Sequence, residues 1–241
     1  MPLKLCLTRL IHKSTAGIRI PYKTRANAFL EDSIAVKDPI KLFDQWFQEA
    51  RNTPELIEPN AMCLSTATRD GIPSARFVLC KGYGEDGFQF YTHYTSRKGR
   101  ELEENPNVAL TFYWNALNRS VRIEGTASKL PMSFADDYFK SRPHASQIGA
   151  LCSDQSELVE SRDKLVEFAD ELRNKYESGE VPKPPHWGGY TVVPKSIEFW
   201  QGQNDRIHDR IKFRQAHNDE IPDSLLTHKG VGNWIYERLQ P

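Results

Sequence analysis

Gly82-Tyr-Gly-Glu-Asp-Gly-Phe-Gln-Phe-Tyr-Thr92 is the stretch on which the fold turns. Gly82, Gly84 and Gly87 match the G-x-G-x-x-G spacing of a dinucleotide-binding loop. That loop must follow a parallel strand and open a helix. Here Phe88-Gln-Phe-Tyr-Thr92 follows, an aromatic run of strand composition. The glycines therefore read as a hairpin turn, and no nicotinamide-binding domain is expected.

Immediately upstream, Ser74–Lys81 reads as the strand before this turn. Arg69-Asp-Gly-Ile72 is a turn that links it to a strand at Ala61–Thr68. Beyond Thr92 comes a short helix from about Arg97 to Glu104, ended by Asn105-Pro106. Val108–Trp114 and Ser120–Leu130 read as two more strands. A helix at Met132–Ser141 is stopped by Pro143, with Ser146 just beyond it. Upstream, Asp38-Pro39 starts a helix at Ile40 with Leu42, Phe43, Trp46, Phe47 and Ala50 on its apolar face. Downstream, Leu158, Leu165, Ala169, Leu172 and Tyr176 share one face of a longer helix. Val181-Pro-Lys-Pro-Pro185 is a stiff linker. Gly189–Trp200, Arg206–Arg214 and Trp234–Leu239 read as closing strands. Short strands, tight turns and inserted helices predict a mainly β fold, an antiparallel barrel with peripheral helices. Residues 1–35 read as poorly structured, with 1–27 a basic arm and 28–241 a single domain.

The chain has 241 residues, 32 basic and 32 acidic, and a pI near 7.1. That balance argues against a bulk nucleic-acid or membrane-surface binder, and no apolar run is long enough to span a bilayer. Lys4, Arg9, Lys13, Arg19, Lys23 and Arg25 precede the first acid, Glu31. The expectation is a cytoplasmic protein with a basic arm. A mitochondrial transit peptide is the alternative for such a start. Cys6, Cys63, Cys80 and Cys152 lack CxxC spacing and read as reduced thiols. His12, His93, His144, His186, His217 and His228 show no metal-ligand spacing.

Three constellations carry chemistry. In Glu198-Phe-Trp-Gln-Gly-Gln-Asn-Asp-Arg-Ile-His-Asp-Arg210, Arg206, His208 and Arg210 fall at a period of two. In a strand they share one face, where an anion or electron-rich ring relieves their repulsion. Ser96-Arg-Lys-Gly-Arg100 places Arg97, Lys98 and Arg100 in the first turn of a helix, the wrong end of its dipole for cations. A phosphate there resolves the conflict. A solvated turn paired with Glu101, Glu103 and Glu104 fits the same residues. Tyr138 and Arg142 share a helix face and, with Ser146, can grip a phosphate. An ion pair of Arg142 with Asp136 or Asp137 is the other reading. Arg76, Lys81, Gln155 and Ser156 are uninformative alone. There is no P-loop, Ser-His-Asp order or metal cluster. The set suits a phosphorylated cofactor that carries the hard chemistry beside a phosphorylated substrate.

From about Ala28 to Pro241 the chain resembles the pyridoxine (pyridoxamine) 5′-phosphate oxidase family. The resemblance rests on Ser74-Ala-Arg76, Ser96-Arg-Lys-Gly99, Ser141-Arg-Pro143, Ser146-Gln-Ile-Gly149, Trp187-Gly-Gly-Tyr190, Glu198-Phe-Trp-Gln-Gly202, Arg206-Ile-His-Asp-Arg210 and Tyr236-Glu-Arg-Leu239. It implies an FMN-binding split β-barrel homodimer with FMN at the subunit interface. It implies oxidation of pyridoxine or pyridoxamine 5′-phosphate to pyridoxal 5′-phosphate, with O2 as acceptor and H2O2 as product. By motif, Arg76, Phe77, Val78, Leu79, Tyr91, Thr92, Arg97, Lys98, Ser120, Gln155, Ser156, Trp200 and Arg210 would contact FMN. Lys81, Tyr138, Arg142 and Ser146 would grip the substrate phosphate. Arg206 and His208 would lie over the pyridine ring as the catalytic pair. One departure stands out: Asn118-Arg-Ser120 has Ser120 where the family usually has a Gln that contacts FMN. A non-catalytic flavin- or pyridoxal-phosphate-binding protein on the same barrel is the alternative function.

Overall fold

The longest strand, β7 (Trp187–Gln201), organises the molecule. One edge pairs along its length with β6 (Arg119–Lys129). The other edge is shared. Trp187–Val192 pairs with β4 (Gly87–His93), and Ser196–Gln201 pairs with β8 (Asp209–Gln215). The changeover falls at Val193–Lys195, where Pro194 has no N–H to give a ladder. Opposite it, the register shifts between Glu124 and Gly125, a bulge that bends the pair. The antiparallel sheet is therefore split at this point. The computed structural model describes residues 21–217 and 220–241.

From β6 the sheet continues through β5 (Asn107–Trp114) and β1 (Ala61–Ala67) to β2 (Pro73–Leu79). From β8 it continues to β10 (Trp234–Arg238) and β9 (Thr227–Lys229). Among the described residues β3 (Gly82–Gly84) pairs only with β4, and the Gly84–Gly87 register leaves Glu85-Asp86 as a two-residue turn. Gly87 has φ +105°, and a Cβ there would lie 2.2 Å from the Val192 carbonyl oxygen. The glycines thus build a hairpin as expected, and only glycine fits its last position.

Alternation along the strands fills one face of the sheet with Leu110, Phe112, Val121, Ile123, Phe199 and Phe213, all fully buried. α1 (Pro39–Arg51) closes this core, with its start fixed by Asp38, whose carboxylate accepts from the Ile40 and Lys41 amides. Its Phe43 ring lies 4.9 Å from both Phe88 and Tyr83. Burying one such aromatic side chain stabilises the fold by roughly 1.5–3 kcal/mol. A second, smaller cluster gathers Phe139, Ile148, Leu172 and Trp187. It joins α3 (Met132–Ser141), α4 (His144–Leu151) and α5 (Arg162–Lys175) to the start of β7.

Four expectations need correction. Residues 28–35 are not a loose arm, because Phe29 and Ile34 are buried in the main core. The proposed targeting segment, residues 1–20, lies outside the described residues. Leu158 is not on the long helix, since α5 begins at Arg162 and Leu158 is fully exposed. Pro143 stops α3 but also precedes a further helix, α4, so Ser146 is helical. Proline is tolerated there because the first N–H groups of a helix have no internal partner. Finally, β8 starts at Asp209. Arg206 and His208 lie in the preceding turn, and Arg206 takes a left-handed φ of +70°. The single-faced row of Arg206, His208 and Arg210 is therefore not a strand face.

Candidate active site

A cavity of about 1000 Å³ opens between β2, β4, the start of α2 (Arg97–Glu104) and the α3–α4 corner. It is lined by fourteen residues expected to hold ligands, twelve of them Arg76 to Leu79, Lys81, Tyr91, Thr92, Arg97, Lys98, Tyr138, Arg142 and Ser146. Gln155 and Ser156 join them.

The start of α2 sets the first wall. Ser96 caps the helix, its hydroxyl accepting from the Gly99 amide at 3.3 Å. A Cβ on Gly99 would sit 2.1 Å from the Tyr94 carbonyl oxygen, so glycine lets the helix start press against the end of β4. This turns Lys98 inward until it is only 7% exposed. Its ammonium donates to Gln155 Oε1 at 2.8 Å, Thr92 Oγ1 at 3.2 Å and Ser96 Oγ at 3.4 Å. All three partners are neutral, and among the described residues no carboxylate pairs with it. Burial, then the Arg76 charge, pulls its pKa down to about 8. Gln155-Ser156 reaches this point on a strained turn, with Ser156 at φ +79°.

Arg76 and Arg97 share one buried acid, Glu101. Glu101 Oε1 accepts from Arg97 Nε at 2.9 Å. Its Oε2 accepts from Ser74 Oγ at 2.6 Å, from Thr66 Oγ1 and from Arg76 Nη2 at 3.4 Å. Burial alone would raise this carboxyl, but the hydrogen bonds from Ser74, Thr66 and Arg97 outweigh it and hold it at about 2. The sequence treated Glu101 only as a surface partner. The four-residue spacing from Arg97 was the available signal, but its burial depends on β1 and β2.

The opposite wall is aromatic. Tyr91 stacks on Tyr138 with centroids 4.1 Å apart, and on Trp187 at 5.5 Å. The Arg142 guanidinium sits 5.0 Å from the Trp187 ring, and its buried Nη1 has no hydrogen-bond partner among the described residues. Lys81 Nζ lies 6.0 Å from the Tyr138 ring centre. Neither Arg142 nor Lys81 forms an ion pair among the described residues, which disposes of the Asp136 or Asp137 reading. Asp136 instead pairs with Lys183 at 3.4 Å.

The remaining expected residues lie elsewhere on the chain. Tyr113, Ser120, Trp200 and Arg210 form one row across β5, β6, β7 and β8 by direct register. Ser120, Trp200 and Arg210 line a groove of about 460 Å³ that shares no residue with the cavity. Arg210 is neutralised by Glu198 at 2.7 Å, and the Ser120 hydroxyl donates to the Phe112 carbonyl at 2.9 Å. His208 stands beside this groove, its ring 5.1 Å from Trp200 and 5.8 Å from Tyr22. Tyr22 was hidden within the presumed arm. Nothing local in the sequence ties it to His208.

Two family models match this chain. Residues 48–176 fit pyridoxamine 5′-phosphate oxidase, and residues 187–241 fit the pyridoxine 5′-phosphate oxidase C-terminal dimerisation region. A pyridoxine/pyridoxamine 5′-phosphate oxidase from Bombyx mori is 53% identical over 93% of this chain and 88% of its own. The pyridoxine-5′-phosphate oxidase of Bos taurus is 48% identical over 98% and 92%. Among solved structures, PhzG from Burkholderia lata 383, in complex with tetrahydrophenazine-1-carboxylic acid, superposes with a TM-score of 0.77. It is 30% identical, covering 88% of this chain and 97% of that one. A pyridoxamine 5′-phosphate oxidase-related, FMN-binding protein from Nostoc punctiforme shares the fold at a TM-score of 0.62 and 12% identity, covering 85% and 98%. The motifs, the split sheet and these matches agree over nearly the whole length, and the chain belongs to the pyridoxine/pyridoxamine 5′-phosphate oxidase family.

Proposed function

We propose that this protein oxidises pyridoxine 5′-phosphate or pyridoxamine 5′-phosphate to pyridoxal 5′-phosphate with FMN as its cofactor. The observation that carries this reading is the cavity's uncompensated positive charge. Among the described residues, Lys98 is buried on neutral partners and Arg142 keeps a buried guanidinium nitrogen without a partner, while the exposed Lys81 lines the same cavity and pairs with no acid. Buried cations such as Lys98 and Arg142 are costly unless an anion completes them. Two separate grips in one cavity fit two phosphates, so the residues present fit FMN beside a phosphorylated substrate.

Lys98, Arg97, Arg76, Gln155 and Ser156 would hold FMN by its phosphate, with Glu101 fixing the two guanidiniums. Lys81, Tyr138, Arg142 and Ser146 would hold the substrate phosphate, and Tyr138 would also offer an aromatic surface. Bound there, FMN would supply the redox chemistry of the reaction, two-electron oxidation of the substrate at C4′ with O2 as the final acceptor and H2O2 as product. The chain's own contribution is positioning, which can replace much of the entropic cost of bringing two rings together. Arg206 and His208 would face the pyridine ring.

Ser120, Trp200 and Arg210 cannot serve the cavity of their own chain if they act through their groove. A homodimer, supported by the C-terminal dimerisation region, would set the groove of one protomer against the cavity of its partner. FMN would then lie at the interface. Residues 28–241 would act as one unit within each protomer.

The test is an anaerobic titration of the purified yellow protein with pyridoxine 5′-phosphate, following the flavin's visible absorbance. Bleaching that reverses on admitting air, with pyridoxal 5′-phosphate and H2O2 formed, is the expected result. A yellow protein that never bleaches would favour the non-catalytic binding role.

A further inference from the structure

The turn Gln203–Asp209 holds its histidine by an unusual contact. The Gln203 backbone amide lies 3.0 Å from His208 Nδ1. A backbone amide can only donate, so Nδ1 must be the acceptor and cannot carry a proton. We infer that this turn fixes His208 as the imidazole protonated on Nε2 alone, so that it serves the reaction as a hydrogen-bond donor and not as a base. Its tautomer follows from the geometry of the turn. Its action on the substrate rests on the function proposed above.

The turn is built to hold this arrangement. Arg206, at φ +70°, doubles the chain back so that residue 208 returns over residue 203. Such a conformation is disfavoured for a non-glycine residue and persists only where neighbours impose it. The neighbours are the segment Tyr22–Phe29. The Tyr22 amide donates to Asn204 Oδ1 at 2.5 Å, and the Asn204 amide donates to the Lys23 carbonyl at 2.9 Å. Arg25 pairs with Asp205 at 2.7 Å. The Tyr22 and Trp200 rings flank the imidazole.

The charges around His208 also favour the neutral ring. Arg206 is a like charge to the imidazolium. The two nearby acids are already committed. Asp205 accepts from the Ile207 amide at 3.0 Å and from Arg25. Asp209 accepts from the Phe29 amide at 2.9 Å, Gln203 Nε2 at 2.6 Å and Arg238 Nη1 at 3.0 Å. Neither is hydrogen-bonded to His208. Burial, then Arg206, lowers the imidazole's pKa, against a smaller upward pull from Asp205 and Asp209. Protonating Nδ1 would also set two N–H groups against each other and break the Gln203 contact.

Nitrogen NMR of the histidine-labelled holoenzyme tests this between about pH 6 and pH 8, the window in which an ordinary histidine titrates. A His208→Gln variant identifies the relevant signals. The expected result is an unprotonated Nδ1 and a protonated Nε2 throughout. A proton on Nδ1, or a doubly protonated ring, overturns the inference. Turnover of FMN-replete variants then tests the donor role. The glutamine amide reaches the place of Nε2, whereas that of His208→Asn reaches only the place of Nδ1. His208→Asn should lose about tenfold more kcat than His208→Gln, in line with one lost hydrogen bond. If the NMR signature holds while both variants turn over like wild type, the donor role falls, and with it the placement of His208 at the substrate. The lock on the tautomer would then still stand.

Discussion

Lys98 is the residue whose chemistry is most exposed to experiment. Its ammonium is buried, without an acid partner among the described residues, and begins to lose its proton near pH 8. A phosphate grip needs the charged form. In the empty site that form is complete well below pH 8 and disappears as pH rises through it. A bound phosphate dianion raises the same pKa, so binding takes up a proton above pH 8. FMN affinity should therefore be flat between about pH 6 and 7.5 and then weaken, by up to about tenfold per unit, above pH 8. Quenching of flavin fluorescence on titration with apoprotein would measure this. Lys98→Met should bind more weakly and lose the slope. A wild-type affinity that stays level to about pH 9.5 would take Lys98 out of the phosphate site. Ser120 is a contrasting residue, because its hydroxyl proton is already given to Phe112 and does not reach outward.

At the level of elements, α2 depends on one carboxylate. Glu101 ties it to Thr66 on β1 and to Ser74 and Arg76 on β2. Glu101→Gln would exchange an acceptor-only group for one that also presents donors to this set. It should cost about 1–3 kcal/mol, the usual penalty for mispaired buried polar groups. The pH dependence has a definite sign. A carboxyl held at about 2 in the folded chain and near 4.5 when unfolded contributes stability above pH 4.5, and loses it as pH falls towards 2. Urea unfolding from about pH 7 to pH 3 should show wild type and variant converging as the pH drops. A constant gap would mean the carboxylate is not what holds the helix. The start of α2 was legible in the sequence because Ser96 and the cations are local signals, and so was α1 through Asp38-Pro39. The hairpin at Glu85-Asp86 was legible because glycine and strand composition adjoin. The turn at Arg206 was not, because no local composition announces a left-handed arginine. Its cause is the distant segment Tyr22–Phe29. Phe29 was missed for the same reason, since its partner Trp46 packs against it from another element, with centroids 5.0 Å apart.

For the whole molecule, the separation of cavity and groove leads to a mixing experiment. A cavity lesion (Lys98→Met with Arg142→Ala) and a groove lesion (Trp200→Ala with Arg210→Ala) should each silence a homodimer. If the site spans two chains, hybrid dimers carry both lesions at one site and none at the other. Random exchange of subunits should then restore about a quarter of wild-type activity, with half the dimers hybrid and half their sites intact. No recovery, with hybrids present by mass spectrometry, would mean that each chain builds its own site. The same separation has a bearing on concentration. A lone chain would hold two halves of different sites and no whole one. Output per molecule would then collapse on dilution past the point where partners separate, however well each chain stays folded.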